Sequence, residues 1–214
     1  MKPASLLGPR PIRMNLLALS GSLRAASSNT ALLEAARLVA PPHVEVTLYT
    51  GLAALPPFNP DLDTPDADAL PPAAAHLRAL VGRADGLLIS SPEYAHGLPG
   101  AFKNALDWLV GSTEFPGKPV ALLSASSRAV HADAQLTEIL TTMSARLVPE
   151  ASLTVPLLGR ALDGATIAAD PDLSGPLRAA LAAFVLAIGD HDTDTAASAA
   201  SGLPPSPQPA HPRT

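Results

Sequence analysis

A buried strand that ends in a proline- and glycine-rich loop is the feature that most constrains this chain. The apolar run Gly86–Ser91 is of the kind that fills a strand covered on both faces of a parallel sheet. Pro92 and Gly97 then predict a tight loop, and Pro99 or Gly100 opens the following helix. Taken alone, such a loop is more often only a connection. At the carboxyl end of a parallel strand, however, it is where open α/β sheets bind ligands.

The rest of the chain alternates predicted strands with predicted helices. The predicted strands cover residues 14–19, 44–49, 86–91, 118–124 and 151–155. Besides the helix that opens at Pro99 or Gly100, predicted helices cover residues 31–39, 73–84, 132–147 and 177–188. Five successive strand–helix units predict an α/β fold with a doubly wound parallel sheet. Residues 50–72 are rich in proline and aspartate, which predicts a long surface loop that walls one side of a pocket.

Length and composition predict one domain with two loose ends. A chain of 214 residues can hold a single domain with a sizeable core, which we assign to residues 13–189. Hydrophobic residues make up 47% of the chain and aromatics only 3%, so the core must consist mainly of Ala, Leu and Val. Residues 1–12 are predicted to be a loose extension. Residues 190–214, with nothing to bury, are predicted to be a disordered tail.

The charge and the absence of cysteine exclude several classes of function. A net charge of −5 provides no positive field for nucleic acid or for anionic lipid. Without cysteine there are no disulfides, thiol nucleophiles or cysteine-ligated metals. The aspartates between 61 and 68 lack the glycine and the closing glutamate of a calcium loop, so no metal site is predicted. No apolar run is expected to form a signal peptide or to cross a bilayer, which predicts a cytoplasmic protein. Because the chain has no cysteine, any redox chemistry is expected to need a bound cofactor.

A second loop, Ser20–Thr30, lies between the first predicted strand and helix and is rich in hydroxyl groups. The free N–H groups and the dipole of a helix N-terminus favour an anion by about 0.3–1 kcal/mol. The loop lacks the glycine patterns of nucleoside triphosphate and dinucleotide sites. Its hydroxyls and Arg24 therefore fit a terminal phosphate monoester better than a bridging diphosphate. The alternative is simple helix capping by Ser27, Ser28 or Asn29.

Three loops together resemble one known family. They are Gly21-Ser22-Leu23-Arg24-x-x-Ser27-x-Asn29, then Pro92-Glu93-Tyr94 through Pro99-Gly100 with Lys103-Asn104-Ala105-Leu106-Asp107-Trp108, and the weaker Ser124-Ala125-Ser126-Ser127-Arg128. From about Met14 to Ile188 the chain resembles the NAD(P)H-dependent FMN reductases, flavodoxin-like proteins that include quinone, azo-dye and chromate reductases. In that family the three loops hold the FMN phosphate, the flavin ring with its ribityl chain, and the far side of the ring.

The resemblance implies a fold and a reaction. The implied fold is a flavodoxin-like three-layer sandwich whose five-stranded parallel sheet has the order 2-1-3-4-5. FMN is the implied cofactor, and NADPH or NADH is the implied hydride donor. Reduction of quinones, flavin or related small acceptors would then proceed in two-electron, ping-pong fashion. The chemistry takes place on the flavin, so no catalytic side chain is assigned, and a homodimer or homotetramer is expected.

The resemblance also implies a set of cofactor-binding residues. They are Ser20, Ser22, Arg24, Ser27, Ser28, Asn29, Thr30, Pro92, Glu93, Tyr94, Ala95, His96, Gly97, Ser124, Ser126 and Arg128. The chain departs from the family pattern at Ala95 and His96, where the family usually has Asn and then a bulky residue. It departs again at Arg128 and Ala129, where the family often has glycines. Both departures touch the ring side of the pocket and leave phosphate recognition unchanged.

Several other residues of these loops have two readings. Lys103, Asn104, Asp107 and Trp108 are expected to pair at a subunit interface or to cap a loop. Glu93 is a second candidate for an interface, because its charge is awkward beside a reduced flavin. His96 and His131 are possible proton donors, although a lone loop histidine is more often solvated or hydrogen bonded.

Two alternatives from other classes remain at this point. The first is a flavodoxin-like FMN electron carrier without nicotinamide-dependent turnover. Such carriers are more acidic around the flavin, whereas these loops carry Arg24, His96 and Arg128. The second is an α/β binding module without flavin.

Overall fold

The computed structural model describes residues 13–64, 70–157 and 159–201, with the backbone alone for 191–201. The strands are β1 (Met14–Ser20), β2 (Val44–Tyr49), β3 (Gly86–Ser90), β4 (Pro119–Ser124), β5 (Arg146–Leu147) and β6 (Leu153–Thr154). The helices are α1 (Ser28–Val39), α2 (Pro72–Arg83), α3 (Gly100–Val110), α4 (Val130–Thr142), α5 (Gly164–Ala169) and α6 (Pro171–Ser201).

The strands form one parallel sheet in the order β2-β1-β3-β4-β5, with β6 also paired to β4. This confirms the predicted order and the flavodoxin-like fold. The register sets Ser20 beside Ser90, so the carboxyl ends of β1 and β3 meet at the same edge. Both central strands are continuous apolar runs because helices cover both faces of the sheet.

Successive residues of β1 and β3 point to opposite faces, so two hydrophobic cores form. Leu16 and Leu88 belong to the core beneath α1, α5 and α6, while Leu17 and Leu87 belong to the core beneath α2, α3 and α4. Helix α6 lies so close to the sheet that a Cβ on Gly86 would be 2.8 Å from Phe184 Cζ. A small residue in β3 therefore makes room for one of the few aromatic rings.

The fifth strand differs from the prediction. The predicted helix 132–147 ends at Thr142, and Arg146–Leu147 is a strand instead. Ser144 takes a left-handed backbone conformation (φ 62°), which ends the helix although the apolar spacing continues to Leu147. A short 3₁₀ turn at Pro149–Ala151 then interrupts the sheet edge, so the predicted strand 151–155 is reduced to the two residues of β6.

The C-terminal helix is longer than predicted. Gly175 and Pro176 set the predicted start at Leu177, yet α6 begins at Pro171 and includes Pro176. The predicted tail starts at residue 190, whereas the backbone of α6 remains helical as far as Ser201. Four of residues 196–200 are alanine, which has the highest intrinsic helix propensity, whereas residues 190–195 are Asp, His and Thr, so propensity alone does not explain the extension. Residues 1–12 and 202–214 lie outside the described residues. Helix α5 was not predicted.

One helix meets the length and hydropathy of a membrane span. Within α6, Pro171–Asp190 has a mean hydropathy of 1.4, which corrects the expectation that no run would qualify. In the structure Leu177, Leu181, Phe184 and Ile188 of this helix are buried in the core against the sheet. The core of the fold is thus a sufficient reason for its apolar composition.

The long loop between β2 and α2 is fixed to α3. The indole N–H of Trp108 and the side-chain amide of Asn104 both donate to the carbonyl oxygen of Pro56, at 2.8 and 2.9 Å. The N–H of Phe58 donates to Asn104 Oδ1 at 2.7 Å. Asn104 and Trp108 therefore cap a loop of their own chain, while Lys103 pairs with Asp107 along α3. The described part of this loop does not line the site cavity described below, contrary to the prediction.

Candidate functional site

Three loops that follow β1, β3 and β4 enclose a cavity of about 380 Å³ at the carboxyl edge of the sheet. This volume lies within the range of small-molecule sites. Most of the predicted site residues line it: Ser22, Arg24, Ser27, Ser28, Asn29, Pro92, Glu93, Tyr94, Ser126 and Arg128. The fold therefore brings together the three loops that are far apart in the sequence.

Six predicted site residues do not line this cavity: Ser20, Thr30, Ala95, His96, Gly97 and Ser124. The hydroxyls of Ser20 and Thr30 hydrogen bond to each other at 2.8 Å behind the first loop. The hydroxyl of Ser124 donates to the carbonyl oxygen of Ser126 at 3.0 Å, so it shapes the third loop from within. These residues support the loops of the site.

Four residues that line the cavity are not in the predicted set of binding residues: Ala26, Ser91, Ala125 and Ala129, of which only Ala129 was placed at the ring side of the pocket. Ser91 could have been found, because it is the first residue after the buried strand β3. The three alanines carry no chemical pattern that a sequence reveals. They contribute space and backbone, whose position depends on the folded loops.

The first loop presents a helix N-terminus to the cavity. Ser27 is the N-cap of α1, and its hydroxyl accepts a hydrogen bond from the N–H of Thr30 at 3.3 Å. The N–H groups of Ser28 and Asn29 belong to the first turn, where no intrahelical acceptor exists. Both residues line the cavity. Capping and anion binding are thus compatible, since the cap satisfies a different N–H group from those of Ser28 and Asn29.

Gly21 joins the first loop to β3. Its N–H donates to the carbonyl oxygen of Ser90 at 2.8 Å. A Cβ on Gly21 would lie 2.5 Å from Ser91 Oγ and 2.9 Å from Ser91 Cβ, closer than real Cβ contacts allow. The Ser90 hydroxyl also donates to Asn29 Oδ1 at 2.9 Å in a buried bond. The first loop can therefore lie against the second only because residue 21 has no side chain.

The second loop contains a tight, strained turn. The backbone groups of Tyr94 and Gly97 bond to each other in both directions, at 3.0 and 3.1 Å. Ala95 (φ 50°) and His96 (φ 57°) occupy the two central positions, both left-handed, as in a type I′ turn. Such turns favour Asn and Gly, and left-handed backbone costs other residues about 1–2 kcal/mol each. The departure from the family pattern thus falls where the backbone is most strained.

Glu93 connects the second loop to α4. One of its oxygens, Oε2, accepts hydrogen bonds from the N–H groups of His131 (2.8 Å) and Ala132 (2.9 Å) in the first turn of α4. The bond from Ala132 is the main reason why the pKa of Glu93 lies below its usual value; desolvation opposes it, and His131 and His96 assist. The N-terminus of α4 therefore stabilises the negative charge of Glu93 at the cavity wall. No subunit interface is needed to explain a carboxylate at this position.

The third loop adds a cation, and a half-buried acid follows it in α4. Arg128 lines the cavity, and its N–H donates to Ser126 Oγ at 3.1 Å. Burial raises the pKa of the Asp133 carboxyl in the first turn of α4, against a hydrogen bond from Ser124 that lowers it, and the charge of Glu93 raises it further. With Glu93 matched by α4, the exposed guanidinium groups of Arg24 and Arg128 give the cavity a net positive character.

All three loops lie within a match to a known protein family. The model of the NADPH-dependent FMN reductase family matches residues 14–157, which include all three loops. This chain belongs to the NADPH-dependent FMN reductase family.

Two curated relatives agree with this assignment. An NAD(P)H-dependent FMN reductase of Pseudomonas aeruginosa is 38% identical over 116 residues, which cover 53% of this chain and 60% of that protein. A quinone reductase of Escherichia coli K12 is 33% identical over 116 residues, 53% of this chain and 61% of that protein. The chain thus matches about three fifths of the length of these relatives.

A solved structure has the same architecture. FerB of Paracoccus denitrificans, described as a flavoenzyme NAD(P)H:(acceptor) oxidoreductase, superimposes with a TM-score of 0.68 at 26% identity. The match covers 83% of this chain and 98% of FerB.

Proposed function

We propose that this protein is an FMN-containing oxidoreductase that uses NADPH or NADH to reduce quinones, flavin or related small acceptors. The observation that carries the proposal is the cavity at the carboxyl edge of the sheet, lined by three loops that match the family pattern. One side presents the N-terminus of α1 with Arg24, and the other presents loop backbone beside Pro92 and Tyr94.

The residues of the first loop fit a phosphate monoester. The free N–H groups of Ser28 and Asn29, the hydroxyl of Ser22 and the guanidinium of Arg24 offer the donors that such a dianion requires. Each charge-assisted hydrogen bond contributes about 1.5–3 kcal/mol. Gly21 supports the fit, because its missing side chain lets these donors lie against the loop that follows β3.

The second and third loops would line the flavin ring. FMN, when bound, accepts a hydride from a nicotinamide and passes two electrons to an acceptor. The chain contributes position: the paired backbone of Tyr94 and Gly97 holds the second loop, and Glu93 fixes that loop to α4. Hydride transfer needs alignment of donor and acceptor and no proton from the protein, so no side chain is given an acid–base role.

The decisive experiment is anaerobic reduction of the FMN-loaded protein. NADPH or NADH is expected to bleach the flavin absorbance, and menadione is expected to restore it. Steady-state kinetics with varied donor and quinone should give the parallel double-reciprocal lines of a ping-pong reaction. The substitutions His96→Ala and His131→Ala should each keep much of the bleaching rate, because neither imidazole lines the cavity.

Two other outcomes support the alternatives. If dithionite bleaches the bound flavin and neither nicotinamide does, the protein is an electron carrier of the flavodoxin type. If the purified protein is colourless and gains no visible absorbance when FMN is added, it is a binding module without flavin. The test for FMN uptake does not depend on which hydride donor the protein uses.

We further propose a homodimer or homotetramer in the cytoplasm. Tyr94 and Val130 are large apolar side chains with more than half of their surface exposed, and Tyr94 lines the cavity. Such residues support association of copies near the site. Light scattering coupled to size exclusion is expected to give a mass of two or four chains, and a monomeric mass would contradict the proposal. Cell fractionation tests the location.

A further inference from the structure

We propose that Glu93, His96 and His131 form a binding site for a divalent transition-metal ion, zinc above all, at the rim of the cavity. Each of the three side chains offers one ligand atom, and these atoms all lie within 4.8 Å of one another. The second loop supplies Glu93 and His96, and the N-terminus of α4 supplies His131. This site is separate from the proposed flavin chemistry and does not depend on it.

The ligand set indicates the class of metal. Imidazole nitrogen and carboxylate oxygen bind zinc at about 2.0–2.2 Å, and two histidines with one glutamate form a three-ligand site with an open position. Imidazole favours Zn²⁺, Cu²⁺ or Ni²⁺ over Mg²⁺ and Ca²⁺, which prefer oxygen ligands. Donor atoms around a tetrahedral ion lie roughly 3.3 Å apart. Ligand atoms within 4.8 Å of one another can converge on one ion by rotation of the side chains.

The two imidazole rings already lie side by side. Their centroids are 4.2 Å apart and the planes differ by 17°, so they are stacked. Both side chains are exposed, so they are free to rotate and a metal ion can reach them from solvent. Because the lone pair of each nitrogen lies in the plane of its ring, convergence on one ion requires one imidazole to rotate out of the stack.

The carboxylate is held in place by the protein. Glu93 Oε2 accepts two hydrogen bonds from the first turn of α4, at 2.8 and 2.9 Å. A carboxylate has lone pairs on both oxygens, which leaves Oε1 for a metal. Metal ligands are commonly oriented by such hydrogen bonds, whose loss lowers metal affinity. Glu93 thus has the outer contacts of a metal ligand before any metal is bound.

The strained turn of the second loop is a second observation that supports a metal site. His96 has a left-handed backbone within a turn closed by Tyr94 and Gly97. This conformation places the ring of His96 on that of His131, although Asn or Gly would form the turn at lower cost. Strain of this kind persists where the surrounding structure fixes it and is concentrated at functional sites. A metal that joins the turn to α4 would offset that cost.

The test is a metal titration of the full-length protein, free of tags and stripped by chelator. Zn²⁺ affinity is measured by competition with a chromophoric chelator, and Co²⁺ is used as a spectroscopic probe of nitrogen and oxygen coordination. One site per chain is expected. His96→Ala and His131→Ala should each weaken Zn²⁺ at least tenfold and change the Co²⁺ spectrum. Glu93→Gln should also weaken binding, with circular dichroism to check that α4 is intact.

The matched control is the double variant His43→Ala with His76→Ala. His43 precedes β2 and His76 lies in α2, and both imidazoles are exposed, as are those of the site. The control should bind Zn²⁺ as the unmodified protein does. Unchanged affinity in both single-histidine variants of the site would overturn the proposal, as would loss of binding in the control. The readout is metal affinity, so the same losses are expected in the three variants whether or not FMN is present.

Discussion

Replacement of Gly21 by alanine is expected to abolish FMN binding while the protein remains folded. The new Cβ would lie 2.5 Å from Ser91 Oγ and 2.9 Å from Ser91 Cβ, so the first loop would have to move away from β3. Overpacking of this kind costs about 1–3 kcal/mol. The displaced loop carries Arg24, Ser28 and Asn29, which are the donors assigned to the phosphate. Thermal unfolding and FMN titration of the apoprotein measure the two effects separately.

Gly100→Ala is the matched control for this substitution. Gly100 is the first residue of α3, and nothing lies within 4 Å of a Cβ built there. Alanine also has a higher helix propensity than glycine, so stability should be unchanged or slightly higher. Adding Ser91→Gly to Gly21→Ala removes both close contacts of Ser91 and should restore part of the FMN affinity. Full FMN binding by the single Gly21→Ala variant would contradict the proposed position of the phosphate.

Arg24→Ala is expected to weaken FMN far more than riboflavin. Arg24 lines the cavity beside the N-terminus of α1, and it is the cation within the first loop. Loss of one charge-assisted hydrogen bond to a phosphate, about 1.5–3 kcal/mol, corresponds to roughly a 10- to 100-fold increase in the FMN dissociation constant. Riboflavin has no phosphate, so its affinity should change little. Fluorescence titration of both flavins into apoprotein measures the difference.

Arg37→Ala provides the comparison for a general loss of positive charge. Arg37 lies in the last turn of α1, at the end of the helix away from the first loop, and it is exposed. It should leave both flavin affinities nearly unchanged. Equal losses for FMN and riboflavin in Arg24→Ala would mean that Arg24 does not contact the phosphate, and the assignment of the first loop would be wrong. Salt should reduce the FMN difference, since an exposed charge is screened.

The central strands could be predicted from local sequence patterns, whereas their order came from the resemblance to a known family. The apolar runs at β1, β3 and β4 are buried on both faces, so every residue in them must be apolar or small, and the pattern is visible without any neighbour. The loop proposed to bind the phosphate is likewise local, because strand, polar turn and helix follow one another in the chain. The short edge strands β5 and β6 were harder to predict, because each has only two residues and forms only by pairing with β4.

The helix ends show the same limit of local patterns. Helix α4 ends because Ser144 adopts a left-handed conformation, and the apolar spacing, which continues to Leu147, does not predict this end. Helix α6 continues past residue 190 through Asp, His and Thr, which have lower intrinsic helix propensity than alanine, so the local sequence does not show where this helix ends. Polarity alone is a poor guide to where a helix ends.

The contacts between loops could be found only in the folded chain. Glu93 was a residue without a clear partner in the sequence, yet it accepts bonds from N–H groups 38 and 39 positions later. His96 and His131 were two separate loop histidines, and their rings stack only because β3 and β4 are neighbours in the sheet. When two side chains are distant in the sequence, no local sequence pattern shows that they will pair. The sheet order and the backbone of each loop fix such pairs, and both are properties of the whole fold.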